Sequence, residues 1–242
     1  MKTKFLHIAT ALLFVGFTSS CSDFLDRYPL DELSDSSFWK TENDAMMAVT
    51  DIYGCLPTWD QDEDINSDNA VHGIKWAAGN ISKGVYDPMD QSWAGSYTPI
   101  RQCNLVLEKV KDIEMSDESR KKIEGQAYFF RAFVYFNLIR SFGDVPYIDK
   151  PLNLTDVEDI TRTPREEVYA KVMADFDKAI EYLPEEWDAA NTPRVTKGAA
   201  LAMKARAALY YNNWQVAADA SKAVMDLGKY ELYDAGNTGK YQ

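Results

Sequence analysis

Between residues 38 and 56 the apolar positions Ala45, Val49, Ile52, Tyr53 and Leu56 recur at helical spacing, Thr41 or Asn43 can cap the start, and Pro57 ends the run. The period returns from about Ser92 to Ile113, carried by Ile100, Leu105, Val106, Leu107 and Val110. It returns again after Ser116, a capping residue, and continues to Phe142, where Gly143 and Pro146 stop it. Thr163 at the N-cap, Pro164 at N1 and Glu166 at N3 open a further helix that Pro184 closes. Two more follow, residues 196–211 and 214–227, with Gly228 as a terminal stop. The expected class is all-α.

Two segments break the period. Residues 57–90 dissolve into Gly, Asn, Asp and Pro signals around isolated Trp59, Trp76 and Tyr86, and residues 144–163 form a second excursion. Long ordered loops of this kind often carry function.

The helix ending at Phe142 is unusual in being apolar on more than one face, through Tyr128, Phe129, Phe130, Phe133, Tyr135 and Phe136. A helix that is apolar all round is buried, so these rings are expected to form core and not a ligand platform. They are expected to meet the small-residue helices after Thr196. Arg131 and Arg140 interrupt the run, and a buried guanidinium needs an oxygen partner, for which Asp144 and Asp175 are the candidates.

The later helices resemble the earlier ones. "DFDKAIEYLP" at 175–184 matches "DASKAVMDLG" at 219–228, and "GQAYFFRAFVYF" at 125–136 matches "GAALAMKARAAL" at 198–209 in its small and basic positions. The spacing between matches is longer in the first pair, and most of the excess must sit in the irregular stretch 142–163. Paired helices with small residues at their crossings are the signature of tetratricopeptide-like repeats. Ala200, Ala205 and Ala208 facing Ala217, Ala220 and Ala223 would let two axes approach closely.

The chain begins with an export pattern: Lys2 and Lys4, an apolar run from Phe5 to Phe17 too short to span a bilayer, then "TSSC". Residues 1–20 read as a signal peptide and Cys21 as the lipid-modified first residue of the mature chain. Residues 21–37, acidic and without period, read as an extended arm leaving the anchor, and 38–242 as the helical-repeat domain. An acyl anchor holds a domain at a membrane surface without a transmembrane helix. Cys55 and Cys103 remain, able to pair in an exported compartment or to stay as buried thiols.

The formal net charge is −12, and loss of residues 1–20 removes only positive charge. This excludes nucleic acid as a partner held by charge. Catalytic chemistry is sparse. Of two histidines, His7 leaves with the signal and His72 stands alone. No phosphate-binding glycine loop or dinucleotide fingerprint is present, and no cofactor is expected. "DQDEDINSDN" begins like a calcium loop at Asp60, Asp62 and Asp64, but Ile65 replaces the turn glycine and Val71 the closing glutamate. A solvated acidic loop is the expectation, with a looser structural calcium site as the alternative.

The mature N-terminus "CSDFLDRYPLDELSDSSFWKTENDA", "YTPIRQCN" at 97–104, "GQAYFFRAFVYFNLIRSFGDVPYI" at 125–148, "RTPREEVYAKVMADFDKAIEYLP" at 162–184 and "PRVTKGAALAMKARAALYY" at 193–211 together resemble the SusD/RagB family of nutrient-binding outer-membrane lipoproteins of Bacteroidetes. The resemblance implies a tetratricopeptide-like, non-catalytic lipoprotein exposed at the cell surface. It implies an oligosaccharide ligand delivered to a SusC-like TonB-dependent transporter. It also implies that the chain is the N-terminal part of a longer protein. A peptide ligand, a scaffold that binds only the transporter, and a surface hydrolase using paired carboxylates are the competing readings.

Glycan capture uses exposed aromatic faces against sugar rings, with amides and carboxylates bonding hydroxyls. That criterion selects Trp76, Asn80, Trp93 and Tyr97, in or beside the 57–96 excursion. Trp39, Trp187 and Trp214, at helix ends, are expected to pack, and Trp59 is left undecided.

Overall fold

The computed structural model describes residues 38–56, 84 and 93–231. The chain divides into two compact units, Met1–Phe38 and Trp39–Gln242, and every element below belongs to the second. Thr41 opens α1 (Glu42–Ile52) with a reciprocal cap: its hydroxyl accepts from Asp44 N at 3.2 Å, and the Asp44 carboxylate accepts from Thr41 N at 2.8 Å. A 3-10 turn, Tyr53–Cys55, follows. Next come α2 (Trp93–Lys109) with Pro99 inside it, a 3-10 turn Val110–Asp112, and α3 (Asp117–Phe142). The Ser116 hydroxyl accepts from Ser119 N at 3.0 Å to start α3, and Gly143, at φ 69°, ends it in a backbone conformation that a side chain disfavours.

The start of α4 (Arg165–Tyr182) departs from the expected cap. Thr163 is held in an antiparallel bridge with Val145, exchanging N–H···O bonds of 2.9 and 3.3 Å, and its hydroxyl accepts from Tyr147 N at 3.4 Å. The N-cap is Pro164, and the Asp144 carboxylate, brought alongside by the bridge, accepts from Arg165 N at 2.9 Å. The cap is thus supplied from about twenty residues upstream, which local sequence does not reveal. α5 (Lys197–Tyr210) starts at a Thr196 cap, and α6 (Trp214–Asp226) completes the array, followed by Gly228 at φ 64°.

The architecture is all-helical among the described residues, the single β feature there being the Val145–Thr163 bridge. Two helical hairpins, α3 with α4 and α5 with α6, stack through the α4–α5 contact, while α1 and α2 pack on the other side of α3. The repeat matched in the sequence has a structural counterpart at its two glycines. A Cβ at Gly125 would lie 3.0 Å from Tyr182 Cβ and 3.1 Å from Leu183 Cγ, and one at Gly198 would fall on the Tyr230 ring. In both hairpins the chain leaving the second helix closes directly over a glycine of the first.

α3 is buried nearly all round, with Phe130, Tyr135 and Phe136 enclosed. Its rings meet α4 and the turn after α1: Tyr53 lies edge-on to Phe130 at 4.5 Å and Phe176 edge-on to Phe129 at 6.1 Å. The expected meeting with α5 is slight, Phe136 against Tyr210 at 5.4 Å, because α4 lies between. Phe133 also departs from expectation. It is only half-buried, stacked on Phe129 with an interplanar angle of 12°, since its side of α3 faces an opening beside α2. Arg140 is exposed, its guanidinium 5.9 Å from the centre of the Tyr210 ring.

Arg131 is buried and takes Asp175 as partner. Its Nε and Nη2 donate to the two carboxylate oxygens of Asp175 at 2.7 and 2.8 Å, and Nη1 donates to Asn104 Oδ1 at 2.8 Å. All three residues are nearly inaccessible, at 6, 6 and 1 % exposure. Burial disfavours the Arg131 charge, but the Asp175 carboxylate more than offsets this and holds the guanidinium above its usual range. Asn104 Nδ2 passes the network on to the carbonyls of Ile148 and Lys150 at 2.9 and 3.4 Å.

Asp175→Ala, which strands a buried guanidinium, is expected to cost about 3–5 kcal/mol in urea unfolding. The double variant Arg131→Met, Asp175→Leu should lose less than either single change, and a single-variant loss under about 1 kcal/mol would contradict the assigned role. Phe130→Ala is expected to cost about 3–5 kcal/mol and Phe133→Ala clearly less, measured by the same unfolding curves.

Candidate functional site

The first two turns of α2 carry both sequence-predicted site residues that the structure describes, Trp93 and Tyr97. Trp76 and Asn80, like Cys21, Trp59, His72 and the acidic run 60–69, lie outside the described residues. Trp93 and Tyr97 sit together, ring centres 5.9 Å apart, and both are half-buried. Trp93 stands edge-on to Phe142 at 4.9 Å, and the Arg162 guanidinium lies 5.0 Å from its ring centre. The Tyr97 hydroxyl donates to the Pro146 carbonyl at 3.0 Å, and burial pushes its pKa up to about 12, so it remains a neutral donor. These contacts fix the Tyr97 ring to the start of the 143–164 connection and the Trp93 ring between the end of α3 and the end of that connection, and leave each with an accessible remainder.

Cavities open on either side of this helical start. The larger, about 420 Å³, lies between the end of α1, the start of α2 and the middle of α3. Asp51, Gln102, Phe133 and Asn137 supply its carboxylate, amides and aromatic surface, with Ser96 and Thr98 adding hydroxyls. Gln102 Nε2 donates to the Asp51 carboxylate across the α1–α2 junction. Asn137, one turn beyond Phe133, makes no side-chain hydrogen bond among the described residues, so its amide is available to a ligand. Pro99 lacks the N–H that would bond the Gly95 carbonyl, and both residues line this cavity.

The smaller cavity, about 160 Å³, lies between α2 and the segment after α3, lined by Tyr97, Ile100, Arg101, Ile148, Lys150 and Leu152. Its loop wall is held firmly. Ile148 N donates to the Tyr135 hydroxyl at 2.6 Å, that hydroxyl donates back to Ile148 O at 3.0 Å, and Asn104 bonds the carbonyls of 148 and 150.

Neither thiol is poised for chemistry. Cys55 and Cys103 are unpaired, and burial raises Cys55 to about 11 and Cys103 further still, so both stay protonated. Among the described residues no group of three or more His, Cys, Asp or Glu side chains could hold a metal ion, and no helix is long and apolar enough to cross a membrane.

The expectation that all three helix-end tryptophans pack holds for two. Trp39 packs on the core, and Trp187 does so while donating from Nε1 to Val195 O at 2.8 Å. Trp214 is 60 % exposed, because it starts α6 on the outer side of the last hairpin, where no described helix covers it. Sequence reasoning also missed Asp51, Gln102, Phe133 and Asn137 as cavity residues. The available signal was the pairing of Gly95 and Pro99 in the opening turns of a helix, which weakens local packing there.

Similarity to known proteins follows the same helical framework. Residues 24–209 match a family model, SusD-like, described as starch-binding and associating with the outer membrane. The chain is 29 % identical over 240 residues to SusD-like protein P2 of Formosa agariphila, covering 93 % of this chain and 46 % of that protein. It is 25 % identical to a SusD-like protein of Bacteroides ovatus, covering 97 % and 44 %. A crystal structure of a SusD-like protein from Bacteroides fragilis superposes with a TM-score of 0.73 at 27 % identity, over 85 % of this chain and 42 % of that one. A laminarin-binding SusD-like protein shares the fold, with a TM-score of 0.69 at 24 % identity over 76 % and 43 %. The chain spans about half the length of the relatives it matches. With the family model matching residues 24–209, well over half of the chain, the chain belongs to the SusD-like family.

Proposed function

We propose that this protein is a surface lipoprotein, anchored through Cys21, that binds an oligosaccharide and passes it to a SusC-like TonB-dependent transporter. The observation that carries the ligand reading is the 420 Å³ cavity, where the half-exposed Phe133 ring stands beside the unpartnered Asn137 amide and the Asp51–Gln102 pair. A sugar ring offers an apolar face to an aromatic and a fringe of hydroxyls to amides and carboxylates, and this cavity presents both. Trp93 and Tyr97 border the same helical start and extend the surface. Trp76 and Asn80 remain ligand candidates from the sequence.

Family membership supports the reading, the family being described as starch-binding, and one structural neighbour is named for laminarin binding. The peptide and scaffold readings have no comparable observation in their favour.

Calorimetry of the purified protein against panels of neutral and charged oligosaccharides, with peptide mixtures alongside, tests the proposal. At least one glycan class should bind. Phe133→Ala and Asn137→Ala should each weaken that binding by about tenfold, equivalent to loss of one aromatic contact or one hydrogen bond. Binding of peptides and of no glycan would overturn it.

A further inference from the structure

The smaller cavity carries a charge that the protein does not use. Arg101 projects from α2 one turn after Tyr97 and is exposed. It makes no hydrogen bond, ion pair or ring contact among the described residues. Most other described arginines are engaged: Arg120 with the carbonyls of Val110, Lys111 and Ile113, Arg131 with Asp175, Arg162 with the Asp144 carbonyl, Arg165 with Glu166, Arg194 with Gln126 and Thr50, and Arg140 with the Tyr210 ring, whereas Arg206, also unpaired, lines a separate opening between α5 and α6. What sets Arg101 apart is its cavity, where an unpaired guanidinium lies with the Tyr97 ring and a second cation, Lys150, and so is available to an anionic ligand.

The surroundings define what that ligand must be. Tyr97 supplies an aromatic surface whose position is fixed by its bond to Pro146 O, and Ile100, Ile148 and Leu152 supply an apolar floor. Lys150 brings a second cation, 3.7 Å from the Asp156 carboxylate and so only partly neutralised. Asp149 falls between two wall residues but does not line the cavity. The wall is pre-positioned by Tyr135 and Asn104, so closing on a ligand requires no reordering of the loop. A planar guanidinium beside an aromatic ring matches a sugar whose ring stacks while its anionic substituent accepts two parallel N–H bonds.

We infer that the cavity between α2 and residues 148–152 is a subsite for an anionic substituent of the glycan, a carboxylate or a sulfate ester, held by Arg101 with Lys150 in support. This rests on the glycan-binding reading and narrows it to acidic polysaccharides.

The test uses calorimetry of the purified protein with neutral, uronate-containing and sulfated oligosaccharides of matched length, at low and high salt. Wild type should favour one anionic series by about tenfold or more, with the preference shrinking as salt rises. The series that gains tells carboxylate from sulfate. Arg101→Gln should abolish most of the preference, and Arg101→Lys should restore part of it. Because Arg101 is exposed, thermal melting should be unchanged in both variants. Equal affinity of wild type for neutral and anionic series, or equal weakening of both by Arg101→Gln, would overturn the subsite and leave glycan binding standing. Failure of every glycan to bind would remove both.

Discussion

Three helices and a connection meet at one buried ion pair. Arg131 on α3 is bonded through both arms of its fork to Asp175 on α4, and its remaining nitrogen holds Asn104 on α2, which in turn holds the carbonyls of Ile148 and Lys150. A pair this deeply buried is costly to desolvate and is tolerable only when every donor and acceptor is satisfied. Meeting that condition fixes how far α2 can slide along α3, and where the chain must run after Gly143. The clamp therefore contributes register more than net stability.

Both cavities inherit their shape from that register. The walls of the smaller one are α2 and residues 148–152, the two things that Asn104 ties together. The larger one opens on the opposite side of the same helix, where Gly95 and Pro99 offer little side-chain bulk and Phe133 is left half-covered. The rings of α3 divide accordingly. Phe130, Tyr135 and Phe136 are enclosed and hold the helices together, whereas Phe133, on the side facing α2, keeps part of its ring exposed in the cavity. A single aromatic-rich helix is core over most of its circumference and leaves one ring, Phe133, half-exposed at the edge of a cavity.

Much of this was legible beforehand, for physical reasons that differ by element. The helices at 42–52, 117–142, 197–210 and 214–226 announce themselves because caps such as Thr41, Ser116 and Thr196, and stops such as Gly143 and Gly228, act within a few residues of the period they bound. The choice between Asp144 and Asp175 as partner of Arg131 was not legible, since it depends on how far two helices are offset. Asp144 instead caps α4, a task that the local pattern gave to Thr163, and the exchange happens because the Val145–Thr163 bridge brings a distant carboxylate to the helix start. Trp214 was misplaced for a similar reason: its exposure depends on what covers the last hairpin and not on its position at a helix end.

By itself, the sequence determined the helical class, the approximate extent of the helices, the paired-helix repeat, the burial of most of the aromatic helix and the absence of recognisable catalytic motifs, because each is written in local period, local capping or composition. Only the tertiary structure decided which residues line a cavity. Asp51, Gln102 and Asn137 come from three helices, and Tyr97, Arg101 and Lys150 from a helix and a connection some fifty residues later. A binding surface is a coincidence of separate segments in space, and that coincidence is set by the depth and offset at which the helices pack.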